Sequence, residues 1–396
     1  MNNNRLHYLD GLRGILAVIV FVHHYLYAFC PDVVFGGDYR EFITTGWNMH
    51  KVIALTPVNI LFNPGTAINF FFLLSGYVQT YSYFKNPGIV FLQKSFFKRY
   101  FRLALPTLAV VIIVFVFHRL DFFHKALVPD NPSTDSWVRA MLPDISSFFK
   151  ALEYGLFDCF KRGSPNSYYQ ILWTMPVELY NSWLIILLLL VTHNLKKPMV
   201  IFVLVLLAQV FLFQAYYGVS FTLGMIICNL HVNSERFKKL FSGAVIKYSC
   251  LLLGLYFASY PFAGYKGSTA VSVYSPISFF DVYPHVISYI TGNTLLFCVL
   301  LNAPRVKVLL THKIFRFFGD ISFMFYLTHF LILFSFSPCL YNMLLPIGRT
   351  ADLVVTVLAT FGLITLVSYL LSRWVDKPVI KLTNSYSKKL FAEPVN

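Results

Sequence analysis

The first apolar segment, residues 8–25, YLDGLRGILAVIVFVHHY, carries an acid, a guanidinium and an imidazole on one face. At about 100° per residue, an α-helix places Asp10, Arg13 and His24 on one stripe, whereas His23 points elsewhere. The rise from Arg13 to His24 is about 16 Å, roughly half the thickness of a hydrocarbon core. Ionisable groups at such depth usually face a bundle interior or a wet cavity, so the stripe indicates a polar track. The structural alternative is an Arg13 that snorkels to the membrane surface and a His24 hydrogen-bonded to a neighbouring helix.

A second deep imidazole occurs in residues 319–334, GDISFMFYLTHFLILF. Ser322, Tyr326 and His329 recur there at i, i+4 and i+7, and they therefore share one helical face. A single intramembrane histidine could be structural. Two of them, with an arginine and a tyrosine, favour a functional polar core.

An acid lies at the start of another apolar segment, in residues 173–180, WTMPVELY. We expect Glu178 to lie at the outer mouth, where it would contact a hydroxylic substrate or tune a histidine, with Trp173 part of the same core. Glu178 would also suit the positive end of the helix dipole without any function. Ser75, in NFFFLLSGYV, could hydrogen-bond to a buried imidazole or ligand, whereas Gly76 beside it is expected to permit close helix packing.

Residues 94–106, KSFFKRYFRLALP, contain a dense cluster of basic residues. Arg99 and Arg102 are three residues apart and could hold one polyanion together, because arginine forks match phosphates. Lys98 adds a third charge, and all three residues are expected at the cytoplasmic mouth of the third span. The alternative is the ordinary cationic anchor of a cytoplasmic helix end.

The elements that carry these residues are membrane helices. The chain has 396 residues, of which 57% are hydrophobic and 12% are charged. This composition predicts an all-α, polytopic membrane bundle rather than a soluble protein. We expect ten transmembrane helices, at residues 9–29, 61–83, 101–118, 172–193, 198–214, 216–232, 246–262, 285–301, 314–336 and 353–374.

The distribution of charge predicts the orientation. About 22 of the 32 basic residues lie at or near the N-terminus and the even-numbered connections, so both termini are expected in the cytoplasm. This sidedness explains the net charge of +15 without nucleic acid. The six cysteines lack a CxxC-type spacing, so no metal site is expected. The first apolar run lacks a cleavage pattern and should be retained. We expect one transmembrane domain over residues 1–380, with an extracytoplasmic loop region at 119–171, and a short cytoplasmic tail at 381–396.

The ordered set of segments resembles the membrane acyltransferase-3 family of acyl-CoA-dependent O-acyltransferases. LDGLRGILAVIVFVHH matches the family's arginine–ten residues–histidine signature. The segments NFFFLLSGYV, KRYFRLALP, WTMPVELY, DISFMFYLTH and SRWVDKPV follow in the family's order. The resemblance covers about residues 6–380.

The resemblance implies transfer of an acyl group, most commonly acetyl, from cytoplasmic acyl-CoA to a hydroxyl of an extracytoplasmic or lipid-linked glycan. The basic residues Arg13, Lys98, Arg99 and Arg102 would hold CoA. His24 would deprotonate the acceptor, and Tyr326 or His329 could donate to the oxyanion. Glu178 completes the set of candidate catalytic residues.

Three alternatives stay open. The donor could be succinyl-CoA or another acyl-CoA, and the acceptor could be a small secondary metabolite. The polar core could instead be the permeation path of a transporter, although neither the internal repeats nor the broken paired helices common in transporters are evident from the sequence. A structural scaffold is disfavoured because it would not need this stripe. We expect a multi-pass protein of the plasma membrane, in contact with lipid, and the sequence leaves its oligomeric state open.

Overall fold

The computed structural model describes residues 6–35, 49–130, 134–161, 168–261, 272–281 and 285–391, and these contain helices but no strand. The α-helices are α1 His7–Phe29, α2 Pro31–Phe35, α3 Met49–Ala54, α4 Pro64–Lys85, α5 Ile89–Arg119, α6 Asp135–Ala140, α7 Phe148–Leu156, α8 Thr174–Thr192, α9 Pro198–Phe211, α10 Tyr216–Asn233, α11 Glu235–Ser242, α12 Ala244–Ala258, α13 Val286–Leu301, α14 Pro304–Leu310, α15 Lys313–Leu344, α16 Arg349–Leu371 and α17 Lys377–Leu390. The all-α prediction is confirmed for this described part of the chain.

Within the described residues, five helical stretches are long and apolar enough to cross a membrane, and the number rises to seven when each bent helix pair is taken as one span. Each of the ten predicted segments coincides with a helix, because long runs of Leu, Phe, Ile and Val bury well in helical form. Three of these helices, α4, α9 and α10, are too short or not apolar enough to be identified as membrane spans by length and composition. The count of ten crossings and the cytoplasmic position of both termini therefore stay predictions.

The chain forms two compact units. The first unit comprises Met1–His23, Cys30–Leu92 and Asn181–Gly319, and the second comprises His24–Phe29, Gln93–Tyr180 and Asp320–Asn396. The helices α1 and α15 each contribute one part to the first unit and the other part to the second.

In the first unit, glycines let helix backbones approach closely. A Cβ on Gly76 of α4 would overlap the Phe221 carbonyl of α10, and a Cβ on Gly224 would overlap the Leu73 carbonyl in return. The packing role expected for Gly76 is therefore confirmed. Gly14 of α1 likewise faces Gly319 of α15, where an added Cβ would lie 2.7 Å from the Gly319 nitrogen. Small residues at such crossings let the helix backbones approach, and the resulting van der Waals contacts stabilise the helix pair.

In the second unit, α5 and α8 run antiparallel. Arg99 pairs with Glu178, and Thr107, further along α5, contacts the sulfur of Met175, which lies earlier on α8. Hydroxyl pairs join α15 to α16, with Thr328 and Ser368 2.9 Å apart. Such side-chain bonds within helical bundles fix the register of α15, the helix that carries His329.

Candidate active site

Two imidazoles from distant parts of the sequence meet in the second unit. His24 Nδ1 lies 3.0 Å from His329 Nε2, and the two rings stack with centroids 5.1 Å apart. His329 is 1% exposed, whereas His24 is only partly buried. The predicted polar stripes of α1 and α15 are thus brought together at their histidines.

The hydrogen bonds at His329 fix the protonation of both rings. His329 Nδ1 lies 2.6 Å from the backbone oxygen of Tyr326, and a carbonyl can only accept, so Nδ1 carries the hydrogen. In neutral His329 the Nε2 atom is then an acceptor, and it must receive the hydrogen from His24 Nδ1. In neutral His24 the ring hydrogen is therefore on Nδ1, and Nε2 carries none.

Aromatic side chains surround this histidine pair. Trp137 stacks parallel to the His24 ring at 6.0 Å, and Phe330 contacts the same ring edge-on at 4.7 Å. Tyr169 donates from its hydroxyl to the Leu327 carbonyl at 2.6 Å and packs near Phe330. Sequence reasoning missed Trp137 because it lies on the short helix α6 inside the 119–171 loop. An isolated aromatic residue in a loop gives no periodic signal.

The Tyr326 phenol contacts residues at and just before the start of α8. Its hydroxyl donates to the Ile171 carbonyl at 2.6 Å and lies 3.1 Å from the Thr174 hydroxyl. A role for Tyr326 as oxyanion donor would therefore require the bond to Ile171 to break. Ser322 is buried on α15, and Trp173 is 40% exposed at the end of a 3₁₀ turn, Gln170–Trp173.

The partly buried guanidinium of Arg99 forms an ion pair with Glu178 in the second unit. The prediction that these residues occupy opposite mouths of the membrane is wrong. Helix α5 begins at Ile89, twelve residues before the predicted span, so Arg99 lies about 15 Å along the helix. Glu178 is the fifth residue of the antiparallel helix α8, and the two side chains meet between the helix ends.

The other predicted phosphate ligands of α5 lie closer to its N-terminal end or to solvent. Lys98 donates to the Asn384 side chain of α17 at 3.1 Å, and it experiences the positive charge of Arg102. Arg102 is exposed and interacts electrostatically with Asp376. The expected basic face is therefore present, but Arg99 shares its charge with an internal carboxylate.

The remaining predicted residues lie in the first unit. Asp10 Oδ2 is 3.6 Å from His7 Nδ1, and Arg13 is partly buried one turn further along α1. Ser75 is buried on α4. His23 is also buried, with a backbone hydrogen bond at Phe62, so it differs from His24 in its surroundings as the helical stripe predicts. No group of three His, Cys, Asp or Glu side chains in the described ranges is arranged to hold a metal ion.

Comparison with known proteins assigns the chemistry of this fold. The family model described as an acyltransferase domain, acyltransferase-3, matches residues 6–373. The chain is 25% identical to the O-acetyltransferase PaAT-1 of Phomopsis amygdali over 81% of its own length and 71% of that protein. It is 24% identical to acyltransferase R4 of a Phoma species, over 87% and 86% of the two chains.

A third relative is acyltransferase clz18 of Cochliobolus lunatus, 23% identical over 96% of this chain and 95% of that protein. No solved structure matches the chain. The family assignment supports an enzyme over the transporter alternative. Since the family model covers nearly the whole chain and several apolar helices accompany it, this protein belongs to the acyltransferase-3 family of membrane acyltransferases.

Proposed function

We propose that this protein transfers an acyl group, in the first instance acetyl, from acyl-CoA to a hydroxyl acceptor, with His24 as the general base. One observation carries the proposal. The hydrogen-bond chain from the Tyr326 carbonyl through His329 to His24 leaves the His24 Nε2 lone pair unprotonated. Imidazole accepts and returns a proton near neutral pH, which acyl transfer requires.

The reaction balances with His24 as the only proton carrier. His24 Nε2 takes the hydroxyl proton while the acceptor oxygen attacks the thioester carbonyl carbon. The resulting imidazolium keeps its Nδ1–H bond to His329 Nε2, which disperses the new charge. Collapse of the tetrahedral intermediate breaks the C–S bond, and the proton on Nε2 passes to the CoA sulfur.

The donor is expected to enter from the cytoplasm. Arg13 lies eleven residues before His24 on α1. The distance of about 16 Å along the helix between them matches the length of an extended pantetheine arm. Lys98 and Arg102 form a basic face of α5 in the second unit, and this face would attract the anionic donor. Arg99, bound to Glu178, would position that face.

Two acceptor classes are compatible with the aromatic rings near His24. An extracytoplasmic or lipid-linked glycan is the first candidate, since the partly exposed Trp137 lies beside His24. A small apolar alcohol, such as a secondary metabolite, is the second candidate. Phe330 and Tyr169 extend the same apolar surroundings, which favour a hydrophobic acceptor.

The decisive experiment combines gene deletion with a reconstituted assay. Glycans and extractable metabolites from cells with and without the gene are compared by mass spectrometry, and the hydroxylic compound that loses one acetyl is the acceptor. Purified protein in lipid nanodiscs is then supplied with labelled acetyl-CoA and this compound.

We expect transfer by the wild type, loss of transfer in His24→Gln, and substantial transfer in the matched variant His23→Gln. Unimpaired transfer by His24→Gln would refute the assignment of the base. Absence of any acetylated product from the wild type would refute the acetyl donor and would direct the assay to succinyl-CoA.

A further inference from the structure

A second cluster of polar aromatic and basic side chains lies in the first unit, apart from the histidine pair. The Tyr77 hydroxyl is 2.6 Å from His231 Nδ1, and the Tyr77 and Tyr81 rings stack at 5.9 Å. Tyr8, near the start of α1, lies close to Tyr77 and Tyr81. The Lys307 ammonium lies 5.1 Å above the Tyr8 ring. These contacts join α1, α4, α10 and α14.

The cluster carries more positive charge than its neighbours neutralise. Lys307 is half-buried and donates to the Leu301 carbonyl at 2.6 Å, and no carboxylate in the described part of the chain pairs with it. Lys85 lies 4.7 Å above the Tyr81 ring, and it too has no carboxylate partner among the described residues. Lys85, Lys307 and Lys238 all interact electrostatically with His231.

Lys238 is the one lysine here with a carboxylate nearby, and that partner, Glu235, is exposed. Two ammonium groups therefore lie against aromatic rings and a carbonyl. A half-buried cation in such surroundings favours an anion that brings its own negative charge and hydrogen-bond acceptors.

We propose that Lys85 and Lys307 bind the phosphates of a nucleotide, namely the 3′-phosphoadenosine diphosphate portion of CoA. This assignment rests on the proposed function and extends it to two further lysines. Ammonium groups bind phosphate oxygens through charge-assisted hydrogen bonds. Tyr8 also precedes Arg13 by five residues on α1, a rise of about 7.5 Å.

The test measures binding of 3′-phosphoadenosine 5′-diphosphate by calorimetry, with the full-length protein in nanodiscs of neutral phosphatidylcholine. We expect Lys307→Gln to weaken binding about tenfold or more, and Lys85→Gln to weaken it about threefold because that side chain is exposed. Lys307→Arg should retain most of the affinity. Lys196→Gln, which removes an exposed lysine elsewhere, is the matched control and should bind as the wild type does.

Unchanged affinity in both Lys307→Gln and Lys85→Gln would overturn the proposal. If Lys307→Gln does not fold, the exposed Lys85 position carries the test alone. An anionic lipid headgroup has the same phosphate chemistry, so the assay is repeated in phosphatidylglycerol nanodiscs. If phosphatidylglycerol stabilises the protein only when Lys307 is present, and the nucleotide does not bind, the proposal would also be overturned. Lysine-dependent nucleotide binding without transfer from either acetyl-CoA or succinyl-CoA would support this site while refuting the proposed function.

Discussion

Replacing His329 should slow acyl transfer without abolishing donor binding. In His329→Leu, the acceptor of the His24 Nδ1 hydrogen is removed at a position that is 1% exposed. The lost bond is to a cation in the transition state, and such a bond stabilises by about 1.5–3 kcal/mol. At about 1.4 kcal/mol per factor of ten, kcat should fall about 10- to 150-fold.

His329→Gln provides the matched variant, because its amide oxygen can reach the region of the imidazole Nε2 and accept from His24. We expect it to retain kcat within about threefold, whereas loss of the base itself in His24→Gln should cost about 10²- to 10⁴-fold. The assay is steady-state transfer of labelled acetyl, with kcat and the KM for acetyl-CoA determined separately. The KM should change little, since neither variant alters the basic residues.

The double variant His24→Gln/His329→Leu should be no slower than His24→Gln, because the two residues act as one unit. Equal losses in the Leu and Gln variants of His329, together with less folded protein, would indicate a purely structural histidine. A fully active His24→Gln protein alongside an inactive His329→Leu protein would reverse the roles of the two imidazoles.

Three further predictions concern the surroundings of the site. Trp137→Ala should raise the KM for the acceptor more than it lowers kcat, as measured by acceptor titration, and an unaltered KM would separate Trp137 from acceptor binding. Breaking the partly buried Arg99–Glu178 pair with Glu178→Gln should cost about 1.5–3 kcal/mol of stability in thermal unfolding, whereas Arg99→Leu/Glu178→Leu should recover part of it. Equal stability in all three proteins would contradict a stabilising pair. In a cysteine-free background, cysteines at Lys389 and Asp130 should be labelled from opposite sides of the membrane, and labelling from one side would end the ten-helix topology.

The sequence by itself determined where the helices lie and which residues share a helical face. Apolar run length marks membrane helices, and the 3.6-residue period is a local property of the backbone. These two features were enough to place Arg13 and His24 on one stripe of α1 and to separate His24 from His23. The ordered motifs were also enough for the family resemblance, which the family model over residues 6–373 confirms.

Only the tertiary structure decided which stripes meet. His24 and His329 are 305 positions apart, and no periodicity within either helix encodes the 3.0 Å contact between them. That contact depends on the packing of α15, as does the carbonyl of Tyr326 that fixes both tautomers. The same reason explains the error on Arg99 and Glu178. Their positions along separate helices were readable, but the depth at which two antiparallel helices pair is set by side-chain packing between them.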